Sequence, residues 1–347
     1  MQRLYFILVF IFTAGHFSSL PAQNAVEIQP PAISDDYSTL IEKASMLAGQ
    51  NPEKALQSFE DSMSHITGHY ERFNTSFFHL FIRYTRMGQI EKAMNVLLQG
   101  QKENFFYPIS AEGRKFPPNV DEFTRLKDFA EFLKKNNQLR EQAQKNAKFE
   151  YFVQLPKNYT KEKSYPLLLV LTGGWGSHLG LSESWHSSRL EADYISVYTQ
   201  GSVCRGSFLR SYQRESMENI MQAYKQIIEK YAVDTARVII GGQSAGGRRA
   251  FSILLDELIP VRGLIGAFPV IPKNLDSDKI KQAAERGVRV AIISGENDWG
   301  LKKQKAAAVL FDEQGLQNRF IIFPEKGHEF PDNFSRQIDL SLDFIFK

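Results

Sequence analysis

From Phe149 to Phe323, short runs of apolar and β-branched residues take turns with stretches of helical period, and that alternation leaves few folds open. Phe149 to Leu155 alternates as a strand, Pro166 to Thr172 is a continuous apolar run, and Tyr194 to Thr199 is a third short β-rich run. Glu215 to Tyr231 then has helical periodicity through Ile220, Ala223, Ile227 and Ile228. Arg237 to Ile240 reads as a strand, Ala245 to Glu257 as a helix, and Leu264 to Ala267, Arg289 to Ser294 and Arg319 to Phe323 as further strands with helices between and after them. Strands that are apolar throughout are buried on both faces, so the pattern predicts an α/β fold: a mainly parallel sheet with helices on both sides.

Ahead of that region the grammar is helical. From Ser34 to Lys148 apolar residues recur at helical spacing, first as Leu40, Ile41, Ala44 and Leu47, then as Ala55, Leu56, Phe59 and Met63. Asn51-Pro52-Glu53 places an N-cap before a proline at a first helical position, which predicts a helix-turn-helix over 36–66. Phe77 to Met87 makes another helix, Gly88 breaks it, and Ile90 to Gln101 makes the next. Val120 to Ala147 reads as further helix. The stretch Tyr84-Thr-Arg-Met-Gly88-Gln-Ile-Glu-Lys-Ala93 resembles a tetratricopeptide hairpin, in which small residues let two helices pack closely. Two hairpins are fewer than a solenoid needs, so this module has two readings, a structural cap leaning on the second half or a groove for a protein partner.

The chain opens with Arg3 ahead of an apolar run from Leu4 to Ala14, followed by small and polar residues up to Ala22. That is the pattern of a secretory signal peptide over 1–22, and it predicts a secreted or periplasmic protein with no stable membrane insertion after cleavage. The expected organisation is thus a leader at 1–22, a small all-α helical-hairpin module at 34–148 and an α/β domain at 149–347. Lys and Arg total 42 against 39 Asp and Glu, a net +3 too small and dispersed for a nucleic-acid footprint. Cys204 is the single cysteine and reads as an inert buried thiol.

At the end of the strand Val238-Ile-Ile240 stands Gly241-Gly242-Gln243-Ser244-Ala245-Gly246-Gly247, directly before a helix. This is Gly-x-Ser-x-Gly in strand-turn-helix context. A turn that tight leaves no room for side chains two residues either side of the serine, and it lifts the hydroxyl clear of the sheet at the positive end of a helix. A serine hydroxyl needs a base to take its proton, and the base needs a partner to orient it. Of the seven histidines only His328 follows the elbow; it lies in Pro324-Glu-Lys-Gly327-His328-Glu-Phe-Pro331, just past a strand. His178 and His186 are candidates for the lining of the pocket. For the acid, Glu296 and Asp298 both follow the strand Arg289 to Ser294 at the sheet edge where open parallel sheets place their sites.

The order Ser244, acid, His328, each after a successive strand, resembles the alpha/beta-hydrolase superfamily over residues 149–347, and within it esterases of the esterase D, feruloyl esterase and polyhydroxyalkanoate depolymerase type. Tyr165-Pro166-Leu-Leu-Leu-Val-Leu-Thr-Gly173-Gly174-Trp-Gly, Val233-Asp234-Thr-Ala-Arg237-Val and Gly327-His328-Glu-Phe-Pro331 carry the resemblance. It implies Asp298 over Glu296 as the acid. It also implies one oxyanion donor from the backbone N–H of Gly174 or Trp175 and another from Ala245, although Thr172 stands where that group usually has His. The implied activity is a serine esterase working through an acyl-enzyme, with no cofactor or metal and an ester substrate such as an acylated polysaccharide. Trp175, Trp185 and Trp299 fall in loops at the same edge, where they would stack on a sugar or aromatic acyl group or simply fill loop cores. Arg205, Arg248 and Arg249 are candidates for contact with an acidic group. Two alternatives stand beside the esterase: a serine peptidase of prolyl-oligopeptidase type, and an inactive hydrolase-fold scaffold whose helical module recruits a protein.

Overall fold

The structure is a computed structural model and describes residues 25–48, 51–111, 115–213 and 216–347. The leader expected over 1–22 lies outside the described residues.

The apolar runs of the second half form the sheet they predict. The strands are β1 (Val26–Glu27), β2 (Glu150–Gln154), β3 (Tyr165–Leu171), β4 (Ile195–Gln200), the short pair β5 (Val203–Cys204) and β6 (Arg210–Ser211), β7 (Val233–Gln243), β8 (Gly263–Ala267), β9 (Arg289–Gly295) and β10 (Asn318–Phe323). Among the described residues, eight of them make one sheet in the order β1-β2-β4-β3-β7-β8-β9-β10, while β5 and β6 form a separate hairpin. Within the eight-stranded sheet, as described, the β2–β4 pairing is antiparallel and the other neighbour pairs run parallel. In β3, Leu167, Leu169 and Leu171 pack on one side with Ile220 of α10 (Ser216–Lys230), Phe251 of α11 (Ala245–Leu255) and Phe311 of α13 (Leu301–Glu313). Leu168 and Val170 face the other side, with Leu179 of α8 (His178–Ser184), Leu190 of α9 (Ser188–Asp193) and Ile338 and Leu342 of α14 (Phe334–Ile345). Helices on both faces explain why these strands are apolar along their whole length.

The first half is helical, with its own core. Helix α1 (Asp35–Ala48) pairs with α2 (Pro52–Ser62), where Asn51 Oδ1 accepts the Lys54 N–H at 2.9 Å as an N-cap should. The helix expected over Phe77 to Met87 starts earlier. One continuous run passes from α3 (His69–Asn74) through a π-helical stretch, Thr75–Phe81, into α4 (Ile82–Arg86), because Tyr70, Phe73 and Phe77 carry the buried stripe further back. Helix α5 (Ile90–Lys102) follows. The single helix expected over Val120 to Ala147 is two, α6 (Val120–Phe123) and α7 (Phe129–Gln144), broken by a turn. Phe73, Phe77, Phe81, Phe105, Phe123 and Phe132 fill the core between these helices.

Two pocket candidates prove to be core residues. Trp185 is fully buried; it caps α8, where its N–H donates to Leu181 O at 2.8 Å, and its ring turns under the sheet against the Gly241 backbone and edge-on to Phe334 at 5.2 Å. The expectation that Trp185 stacks on substrate is therefore corrected, because the turn at the end of α8 points its side chain away from solvent. His178 is likewise buried and edge-on to Phe152 at 5.4 Å. Burial, helped by the Arg210 guanidinium, pushes its imidazole down to about 3.

Removing the Trp185 ring leaves a large void, so Trp185→Ala should lose about 3–5 kcal/mol of stability in urea unfolding. His178 folds as a neutral ring with its pKa below that of the unfolded chain. Its contribution is complete above the unfolded value of 6.5 and is lost as pH falls from there toward about 3. In unfolding free energies followed from about pH 6 down to pH 4, His178→Leu should therefore fall less steeply than the parent, by up to about 1.4 kcal/mol per pH unit.

Candidate active site

Ser244 sits between β7 and α11 with φ +51° and ψ −119°, a backbone conformation few residues other than glycine adopt. The surroundings hold it there. Its N–H donates to Ala267 O at 3.1 Å and its carbonyl accepts the Val270 N–H at 2.9 Å. The glycines two residues either side are sterically required: a Cβ on Gly242 would stand 2.6 Å from the Gly246 carbonyl carbon, and one on Gly246 would stand 2.2 Å from Leu171 O. With nothing between helix and sheet, α11 begins directly at the serine. The first N–H groups of any helix lack an intrahelical acceptor, so the N–H of Ala245, the first residue of α11, and the positive end of the helix dipole lie next to the serine in the chain.

His328 reaches this serine from the loop after β10. Its Nε2 is 2.8 Å from Ser244 Oγ, and its Nδ1 is 3.0 Å from Asp298 Oδ2. Asp298, in the loop after β9, is buried, and its carboxylate is held on both oxygens. Oδ1 accepts the Gly300 N–H at 2.5 Å, while Oδ2 accepts the Ser294 hydroxyl at 3.2 Å as well as facing the imidazole. A buried carboxylate with this many donors is compensated for its lost water and fixed in orientation. The two loops are stitched to each other by backbone: Glu296 N–H donates to Phe323 O and Asn297 N–H to Lys326 O, both at 2.8 Å. Glu296 is exposed and directs Oε2 to the Glu325 N–H at 3.2 Å, away from the imidazole.

Aromatic rings flank the imidazole. Trp299, 67% exposed, lies 4.8 Å from it, and Phe268 packs edge-on at 4.7 Å. Phe268 escaped the sequence reading, and only its place directly after the β8 run marks it. Trp175, in the loop Thr172–Gly176, is partly exposed; Gly174 beside it is open to solvent, and a Cβ added at Gly173 would stand in ordinary contact, 3.5 Å, with the Ser244 Cβ. Of the arginines, Arg249 stacks its guanidinium over Tyr212 at 4.6 Å, Arg205 donates to Ser211 Oγ at 2.9 Å, and Arg248 is exposed. Cys204 is buried, and burial pushes its thiol up, away from the reactive thiolate. Among the described residues no group of three or more His, Cys, Asp or Glu is placed to hold a metal ion.

A serine, an imidazole and a buried carboxylate in one hydrogen-bonded line, at the start of a helix, can pass a proton from the hydroxyl to the ring while the carboxylate stabilises the charge. A family profile described as an alpha/beta hydrolase domain matches residues 205–332. The comparison with curated proteins finds no match. Among solved structures, an uncharacterised protein from Bacillus cereus is 18% identical with a TM-score of 0.48, over 89% of this chain and 98% of that one. A ferulic acid esterase is 19% identical with a TM-score of 0.49, over 58% of this chain and 92% of its own. A Bacillus cereus carboxylesterase is 17% identical with a TM-score of 0.43, over 59% of this chain and 99% of its own. Sheet order, the serine elbow and the matched profile together give the chain the alpha/beta-hydrolase fold, preceded by a helical region.

Proposed function

We propose that the chain is a serine esterase that cleaves carboxylic esters through Ser244, His328 and Asp298. The observation that carries this reading is the imidazole bridging the other two groups, 2.8 Å from the hydroxyl and 3.0 Å from the carboxylate. Ser244 Oγ attacks the ester carbonyl as His328 Nε2 takes its proton, and Asp298 holds the ring with Nδ1–H toward the carboxylate. The Ala245 N–H and one from Gly174 or Trp175 stabilise the tetrahedral oxyanion. The ring then returns its proton to the departing alcohol, leaving an acyl-serine, and a water activated by the same imidazole releases the acid. No step calls on a metal or cofactor.

Ester substrates carried on a polysaccharide suit a site of this shape. Ser244 and His328 are only half-buried, and Trp175 and Trp299 are exposed aromatic side chains of the kind on which a sugar or aromatic acyl group stacks. The charged start, apolar run and small residues of the first 22 positions support export to such a substrate.

On short p-nitrophenyl esters Ser244→Ala should lower kcat by at least about 10⁴-fold, and a fluorophosphonate probe should label the parent at Ser244 and leave the variant unmarked. Equal rates from both proteins would end the esterase reading. The two carboxylates separate cleanly as well: Asp298→Asn should cost roughly 10³- to 10⁴-fold in kcat by favouring the wrong imidazole tautomer, whereas Glu296→Gln should stay within about twofold of the parent.

A further inference from the structure

We propose that the helical region is a working part of the hydrolase site: it holds the loop Thr172–Gly176 where that loop donates to an oxyanion, with Phe116 as the positioning residue. This rests on the esterase reading above. A donor helps only when it lies about 2.7–3.1 Å from the developing charge, and this loop is poorly suited to holding itself there. Three of its five residues, Gly173, Gly174 and Gly176, are glycines, which have more backbone freedom to lose on ordering than other residues.

The hydrolase half fixes the two ends of the loop. Thr172 N–H donates to the Tyr212 hydroxyl at 2.9 Å, and Gly176 and Arg210 exchange backbone hydrogen bonds at 3.1 and 3.0 Å. The middle is reached from the other half. The Trp175 and Phe116 rings meet in a T-shaped contact at 4.6 Å and 86°, and Phe116 leans in turn on Phe77, at 6.3 Å, in the π-helical stretch of the helical core. The Phe116 backbone is itself paired with Ser110 in both directions, at 2.9 and 3.0 Å.

A second route runs from the same half to the same loop. The β5–β6 hairpin, which carries Arg210, is gripped by helical-region residues. Ser207 N–H donates to Phe106 O and Ser207 Oγ accepts the Phe106 N–H, both at 2.9 Å. Gln144 bonds Ser202 O and the Cys204 N–H, again at 2.9 Å. Leu209, from the tip of the hairpin, is buried in the helical core. Both the centre of the loop and the strand that clamps its end are thus seated on the first half of the chain, a contiguous packed path of the kind through which position is transmitted.

The test compares the parent with Phe116→Ala, Phe116→Leu and Phe116→Tyr in the full chain. It reads kcat and KM on p-nitrophenyl acetate, and amide hydrogen exchange of the peptide spanning 172–176. Displacing one donor by a fraction of an ångström should cost about 10- to 100-fold in kcat. KM should stay within about threefold, and exchange in the loop should quicken in the Ala and Leu variants and return to the parent rate with Tyr. Far-UV circular dichroism identifies an unfolded variant, and the Leu variant, which keeps much of the bulk without the aromatic ring, then decides. Unchanged kcat, unchanged loop exchange, or a rise in KM alone would each overturn the proposal, the last by making Phe116 a substrate contact. A parent protein silent on every ester would sink the esterase reading instead, and the exchange measurement would still decide whether Phe116 orders the loop.

Discussion

The approach of α11 to the sheet governs the rest of the candidate site. Leu171 O lies where a side chain at 246 would begin, and the backbone of Gly246 lies where one at 242 would begin. Any substituent at either position would push the helix outward and unwind the turn. The closeness has a local cost, which Ser244 carries as an unfavourable backbone conformation. Such strain persists only when neighbours over-determine it, and hydrogen bonds to Ala267 and from Val270 do so here. The result is a Cβ held above the end of the sheet, beside the start of a helix, with the hydroxyl it carries 2.8 Å from the imidazole.

The other two groups are fixed in a different way. Asp298 and His328 lie on separate loops, yet the loops are bonded to each other through main-chain groups at 296, 297, 323 and 326. Their spacing is therefore a property of two adjacent parallel strands, β9 and β10, and their shared register. Side-chain contacts finish the arrangement: donors on both oxygens stop the carboxylate from turning, and rings on two sides limit the swing of the imidazole. Catalytic groups gain most from this kind of preorganisation, since no reorganisation is then left for the moment of reaction.

What could be read in the sequence follows the range of the physics involved. The serine elbow announces itself within five residues, because the glycines that its close helix-to-sheet approach requires stand two positions either side of Ser244, although the partners that enforce them, Leu171, Ala267 and Val270, lie far along the chain. The strands were legible because burial on both faces demands unbroken apolar runs. Choosing between Asp298 and Glu296 was different, because the residues alone allow either; the choice depends on which side chain turns inward after Gly295, and that is set by the neighbouring loop. Trp185 misled for a related reason. A tryptophan beyond a short helix looks like a loop residue, while its burial depends on the bend at Trp185 that ends α8 and on space beside Gly241 on a strand far along the chain. Two-residue strands such as β1, β5 and β6 carry no period at all, and the π-helical stretch has the same apolar spacing as the helix it interrupts.

The division into two halves also needs a physical qualification. Composition and period change at Lys148, and the helical residues do have a core of their own. Phe208, however, packs against both that core and the one beneath the sheet, while Leu209 next to it belongs wholly to the helical side. An element that belongs to the hydrolase half in sequence is thus an interior residue of the helical half in space. A few helical hairpins bury too little apolar surface to be stable alone. Borrowing a wall from the neighbouring sheet supplies the missing contact, and it makes local unfolding of either half costly to the other, because exposing Phe208 and Leu209 strips packing from both cores at once.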